Sequence, residues 1–213
     1  MAKQLESFIP TRKSLLTRLK NWDDQEGWKE FFDTYWRLIY SVASKSGFHD
    51  VEAQDIVQET VISVAKKMRH FKYDPAIGSF KAWLLVITRS RIIDHFRRKR
   101  LPIAEPQTPT GTTTGTGLLE RIPDPAGPGL DALWEAEWKQ NLLQLALQKV
   151  KAQVTAKQFQ IFELYVLQEA SIDKITNALG VSSGQVYIAK HRVSRLLKSE
   201  LKKVERRMEE TTT

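Results

Sequence analysis

The chain has 213 residues, 41% hydrophobic and 27% charged, with a formal net charge of +8 and no cysteine. That balance suits a water-soluble globular protein and excludes disulfides and thiolate metal sites. No apolar run approaches the roughly 20 residues that a bilayer-spanning helix needs. The charge is placed rather than spread. Residues 88–100 carry +5 and residues 187–207 carry +6, so the remainder is net acidic. Two separated cationic segments point to an anionic partner gripped at two places. The opening MAKQLESFIPTRKSLL lacks the apolar core and small-residue cleavage site of a signal peptide, so the expected location is the cytoplasm.

Before Trp22 the sequence predicts only a short helix, and Asp23-Asp24 reads as the start of the next. There Phe31, Phe32, Tyr35, Leu38, Ile39, Val42 and Ala43 recur at helical spacing. Gly47 follows as the glycine after a last turn. Ala53, Ile56, Val57, Thr60, Val61, Val64 and Met68 form a second stripe. Asp74-Pro75 and Gly78 mark a turn. Phe80, Trp83, Leu84, Ile87, Ile92, Ile93 and Phe96 line a third helix. Residues 101–129 hold six of the eight prolines and five of the ten glycines, and bury too little to offset their chain entropy. A flexible linker is expected there.

Leu133, Trp134, Trp138, Leu142, Leu145 and Val150 make another amphipathic helix. Thr155 is placed to cap the next, with Phe159, Phe162 and Leu167 inward. Ser171 caps a short helix ending at Leu179, and Ser182 or Ser183 starts a last helix running to about Arg207. No strict alternation competes, so the expected fold is all-α. It comprises two small helical domains, 10–100 and 131–207, joined by a Pro/Gly/Thr-rich linker, 101–130. Trp36, Trp83, Trp134 and Trp138 sit on apolar stripes and are expected in the cores, while Trp22 and Trp28 find no place in the pattern.

The segment SIDKITNALGVSSGQVYIAKHRVSRLL has helix-turn-helix spacing. Ile175 and Leu179 pack the first helix, Gly180 supplies the turn, and Val181 and Val186 seat the second. Ser183, Gln185, Tyr187, Lys190, His191 and Arg195 point outward. Gln can pair with adenine and Lys or Arg with guanine, so this face suits a major groove. The same pattern also suits a helical hairpin with a solvated basic face. In the first domain, AQDIVQETVISVAKKM buries its aliphatic stripe and presents Asp55, Gln58, Glu59 and Ile62 elsewhere, a polar surface that an ordinary solvated helix could also show. FKAWLLVITRSRIIDHFRRKR joins an aromatic start to a cationic end. Four consecutive basic residues, Arg97, Arg98, Lys99 and Arg100, exceed what a helix dipole calls for, and favour phosphate contact.

The DIVQET run, the FKAWL…ITRSRIIDHFRRKR run and the downstream helix-turn-helix, in this order and with this linker, resemble the extracytoplasmic-function (ECF) sigma factors of bacterial RNA polymerase over about residues 25–205. The resemblance implies a protein that binds the polymerase core and directs promoter recognition, melting and initiation. It implies that Asp55, Gln58, Glu59 and Ile62 meet the clamp helices of the largest subunit. It places Ser90, Arg91, Asp94 and His95 near bases of the −10 element, with Arg97, Arg98, Lys99 and Arg100 on phosphates. The loop with Tyr73, Asp74, Pro75, Gly78 and Ser79 matches the one that captures a flipped base, whose lost stacking costs a few kcal/mol. Residues 183–195 would read the −35 element, beside the polymerase flap, and the linker matches the segment that threads the polymerase cleft. An anti-sigma factor is a further partner the resemblance allows. Ser90 stands where the family often has Asn, and Tyr187 and Ala189 stand where basic residues are common.

Two other classes compete. A stand-alone helix-turn-helix regulator would bind a palindrome without polymerase, and leaves DIVQET and the first basic helix without a role. An enzyme would need clustered carboxylates or histidines, or a phosphate loop. The sequence offers none, so no catalysis, metal or cofactor is expected, nor membrane insertion. A linker of about 29 residues spans at most ~100 Å stretched and roughly 30 Å as a coil. Two turns of DNA cover about 70 Å, so the polymerase would have to fix the separation.

Overall fold

The computed structural model describes residues 13–71, 79–100 and 128–209, and every regular element among them is helical. In order these are α1 (Lys13–Arg18), α2 (Gln25–Lys45), α3 (Asp50–Met68), α4 (Phe80–Arg100), α5 (Pro128–Lys151), α6 (Ala156–Phe162), a π-helical turn (Glu163–Leu167), α7 (Ile172–Leu179) and α8 (Ser183–Glu209). The described residues fall into two compact units that divide inside α5, between Asn141 and Leu142.

In the first unit α2 packs on α3 and α3 on α4, with α1 against α2. Phe31, Tyr35, Leu38, Ile39 and Val42 of α2 are buried with Ala53, Ile56, Val64 and Met68 of α3 and Phe80, Leu84, Ile87 and Ile92 of α4. Spacings of three and four recur within each set, so one side of each helix is apolar. Asp24 starts α2 by accepting from the Gly27 N–H at 2.8 Å, and Arg18 grips its carboxylate with two hydrogen bonds of 2.7 and 2.8 Å. That guanidinium, with the Gly27 N–H, holds the Asp24 carboxyl down at about 2. A Cβ at Gly27 would stand 3.1 Å from Asp24 Cγ and 3.3 Å from Arg18 Cβ, so a larger residue here would have to push the cap and its arginine aside by a few tenths of an ångström.

The stripe reading errs at Phe32, which is 42% exposed and stacks on the half-buried Trp36, ring centroids 6.1 Å apart. This pair lies on the outer side of α2, one position off the true inward row. Trp83 is likewise only half-buried, packed on Phe71 and Phe80.

The first half of α5 belongs to the first unit, although the sequence pattern assigns residues 131–141 to the second. Pro128 stands at the first helical position, where its missing N–H and fixed φ cost nothing, so residues 128–130 are helix rather than linker. Trp138 stacks on Tyr35 with centroids 5.9 Å apart, and the Asn141 amide donates to the Thr34 carbonyl at 3.0 Å. Glu137, 7% exposed, accepts from Lys45 Nζ and Ser41 Oγ, both at 2.5 Å. Burial pushes its carboxyl up, but the ammonium and hydroxyl outweigh this and leave it below the ordinary range. Lys81 reaches Glu135 at 2.6 Å, and Arg89 pairs with Asp131. The rest of the expected linker, residues 101–127, lies outside the described residues.

The second unit has two adjoining apolar clusters. One joins Ile161, Ile175, Val181, Val186 and Ala189; the other joins Leu147, Val150, Phe162 and Val193. Thr155 caps α6 and Gln158 answers it in a capping box. Ser171 caps α7. Ser182 precedes α8, exchanging hydrogen bonds with Gln185 in the same way. Gly180 ends α7 at φ 58°, ψ 47°, a left-handed conformation that glycine adopts without steric cost. Leu167, expected inward, is 50% exposed: it ends the π turn that follows Phe162, and Val166 rather than Leu167 packs against the cluster of Leu147, Val150, Phe162 and Val193.

Candidate nucleic-acid interface

The cationic end of α4 is not a bare row of charge. Arg98 donates to Glu59 Oε1 of α3 at 2.8 Å, and Lys99 contacts both oxygens of Glu52 at 2.9 and 3.2 Å. Glu52 also accepts from the His49 N–H at 3.0 Å; that bond and Lys99 lower its carboxyl below the usual range. Arg91 pairs with Asp94 at 3.0 Å, and Arg97 approaches the same carboxylate at 4.0 Å. Arg97, Arg98 and Lys99 remain exposed, so the end of α4 presents a cationic surface whose side chains are held in place by acids. The Arg100 side chain lies outside the described residues.

Of the four residues proposed beside bases, Ser90, Arg91 and Asp94 are half-buried. The fourth, His95, is packed inward: its side chain is 13% exposed, edge-on to Phe48, with Nε2 3.3 Å from Glu59 Oε1 but off hydrogen-bond geometry. Of the flipped-base loop, Tyr73, Asp74, Pro75 and Gly78 lie outside the described residues. Ser79 is described and accepts from the Ala82 N–H at 3.2 Å, which makes it a start signal for α4.

On α3 the structure separates the four residues that the sequence groups together. Asp55, Gln58 and Ile62 are exposed at spacings of three and four, hence along one face. Glu59 turns to α4. Burial raises its carboxyl, while Arg98 and the nearby His95 outweigh burial and lower it. Ile62 borders a groove of about 530 Å³ walled by Trp22, Trp28, Val61 and Ala65, with Asp23 and Gln25 beside them. The two indoles lie 5.9 Å apart, and Trp28 Nε1 donates to the Asn21 carbonyl at 3.2 Å. Sequence reasoning missed this use of Trp22 and Trp28. Their failure to fit any apolar stripe was the available signal.

On α8, Ser183, Gln185, Tyr187, Lys190, His191 and Arg195 are all exposed. Tyr187 stands edge-on to Tyr165, and Lys190 Nζ lies 5.1 Å from the Tyr165 ring centroid. Ala189 is 2% exposed and packs inward, which explains why no basic residue stands there. Tyr187, Ile188, His191, Arg192 and Arg195, with Leu196 and Gln153, border a concavity of about 520 Å³. Ile188 and Arg192 were absent from the sequence-based set. Further along, Glu200 is 5% exposed and takes Lys203 at 2.8 Å and Gln153 at 3.3 Å, so part of the C-terminal charge is neutralised locally.

Among the described residues no group of three or more His, Asp or Glu could hold a metal ion, and no helix is long and apolar enough to cross a membrane. The two candidate surfaces consist of exposed polar and cationic side chains on helices.

Residues 31–101, from within α2 to just past the end of α4, match the family model Sigma-70 region 2. The chain is 25% identical over 169 residues to the ECF RNA polymerase sigma factor BldN of Streptomyces coelicolor, covering 79% of this chain and 56% of that one. It therefore spans little more than half of that relative. It is 24% identical to the ECF RNA polymerase sigma factor SigL of Mycobacterium tuberculosis, covering 83% of this chain and 89% of the relative. A probable RNA polymerase sigma factor of Haemophilus influenzae is 24% identical, covering 71% and 77%. Together with the region 2 match, these likenesses support the reading of the chain as an ECF sigma factor.

Proposed function

We propose that this chain is a sigma factor that binds RNA polymerase core and directs promoter recognition, DNA melting and transcription initiation in the cytoplasm, without catalysis of its own. The observation that carries the reading is the region 2 match laid on a bundle whose last helix ends in exposed cations. The exposed row Asp55, Gln58 and Ile62 meets the clamp helices of the largest subunit. The groove beside it, with Trp22 and Trp28, receives an apolar side chain from the same partner. Aromatic side chains are frequent anchors in such interfaces. Arg97, Arg98, Lys99 and Arg100 track phosphates at the −10 element. Ser90, Arg91 and Asp94 approach bases there, and residues 73–79 hold a flipped base. The outer face of α8 reads the −35 element beside the flap. An anti-sigma factor would act by covering these same faces.

Transcription by purified core enzyme on a pooled promoter library, with and without the protein, tests the reading. Start-site-directed RNA synthesis that depends on the protein is expected. Independence from it refutes the proposal. A tight, specific footprint on naked DNA would favour a stand-alone regulator instead.

A further inference from the structure

On α8 the buried residues Val186, Ala189 and Val193 define the inner side. With about 3.6 residues per turn, the opposite side is centred on Gly184, Ile188, His191 and Arg195. Ile188 therefore stands in the middle of the outward face, 66% exposed, among Tyr187, His191, Arg192 and Arg195. Nothing in the fold calls for it. A β-branched side chain is a poorer helix former than the Lys or Gln that surface positions usually carry, and it packs against neither apolar cluster of its unit. It has no donor and no acceptor, so it cannot read a base by hydrogen bonding. Among the base edges of the major groove, the prominent apolar feature is the thymine C5-methyl group.

We infer that Ile188 selects thymine at one position of the upstream promoter element by packing against its C5-methyl group. The flanking His191, Arg192 and Arg195 supply donors to acceptor edges and phosphates, which sets the helix depth. Burying that methyl against Ile188 removes apolar surface from water on both partners. Cytosine presents an amino donor and no methyl at the equivalent edge, and the isoleucine leaves that donor unpaired. The inference rests on the reading of α8 as a helix that enters the major groove.

The test uses the full-length protein assembled with core polymerase and a promoter drawn from the pooled library. Each thymine of the upstream element is replaced in turn by deoxyuridine, which removes only the methyl. At one position the wild-type complex should bind about fourfold more weakly, the worth of roughly one buried methyl group. The Ile188→Ala complex should bind thymine and uracil templates equally. Ile188→Gln, polar and helix-compatible, should lose the methyl dependence as well, and covers the case in which the alanine variant fails to assemble. If no thymine responds to loss of its methyl, or if both variants keep the full response, the inference is overturned while the reading of α8 stands. If the wild-type complex shows no base preference upstream at all, that reading falls and the inference falls with it.

Discussion

Glu137→Ala probes the least expected part of the first unit, the seat of α5 on α2. The carboxylate is 7% exposed and accepts from Lys45 Nζ and Ser41 Oγ at 2.5 Å each. Hydrogen bonds to a charged group contribute about 1.5–3 kcal/mol each. Lys45 is 55% exposed and recovers hydration when its partner goes, whereas the half-buried Ser41 does not. The expected loss for Glu137→Ala is therefore about 2–3 kcal/mol, and for Glu137→Gln about 1 kcal/mol, since the amide can keep the Ser41 contact. In urea the larger loss moves the midpoint by about 1 M. Trp134 and Trp138 flank the site on the same helix and are buried, so their fluorescence reports the seat directly. The carboxyl lies below its ordinary range in the folded chain. Its contribution is therefore complete above the unfolded value, about 4.3, and is lost as pH falls through the lower folded value. The wild-type midpoint should drop on acidification over that window by more than that of Glu137→Gln. A shift under about 0.5 kcal/mol for Glu137→Ala, or strict additivity with Lys45→Ala, would refute the reasoning.

Other consequences can be checked separately. Asp55→Ala with Gln58→Ala should weaken retention of core polymerase about tenfold, whereas Glu59→Gln, which faces Arg98, should change it less than twofold in the same pull-down. A large effect of Glu59→Gln alone would return that residue to the polymerase surface. Replacing Arg97 and Arg98 by Ala should lower the slope of log affinity against log salt by about 1.4–1.8, at roughly 0.7–0.9 per lost phosphate contact; an unchanged slope removes both from the DNA interface. Gly180→Ala should cost the second unit about 1–2 kcal/mol in a thermal melt. The new methyl meets nothing within 4 Å, so the whole cost is backbone strain at φ 58°.

The helices were legible because their signals are local. Ser171, Thr155 and Gly180 sit where caps and a left-handed turn belong, and the structure uses each that way. Partner choice was not legible. The stripe Leu133, Trp134, Trp138, Leu142, Leu145 and Val150 predicts one amphipathic helix, and α5 is one. Periodicity gives the direction of an apolar face but not its neighbour. Nothing in the spacing tells that residues up to Asn141 bury against α2, through Tyr35, Thr34 and Ser41. The same limit applies to α3. Glu59 lies one residue beyond Gln58 in sequence, and only the packed position of α4 turns it towards Arg98 and His95. The π turn at Glu163–Leu167 had no sequence signal, and at its end Val166 rather than the expected Leu167 meets the apolar cluster.

The acid partners of α4 bear on how a cationic helix can serve DNA without being spent on its own fold. Exposed ion pairs contribute little to stability, because both charges stay hydrated and two long side chains lose freedom. Arg98, 60% exposed, and Lys99, 52% exposed, approach those terms on the cationic side, although Glu59 and Glu52 are half-buried. A phosphate offers the same charge with more acceptor oxygens and releases a condensed counterion as well, so exchange favours the nucleic acid. On the proposed reading the acids would orient the cations rather than block them. They would also reduce the positive potential of the free chain, and with it indiscriminate binding along DNA. Replacing Glu52 and Glu59 by Gln should accordingly strengthen non-specific DNA binding by the free chain several-fold at low salt. Promoter discrimination by the assembled complex should fall in step. Unchanged non-specific affinity in a filter-binding assay would show that the carboxylates leave the field of α4 untouched.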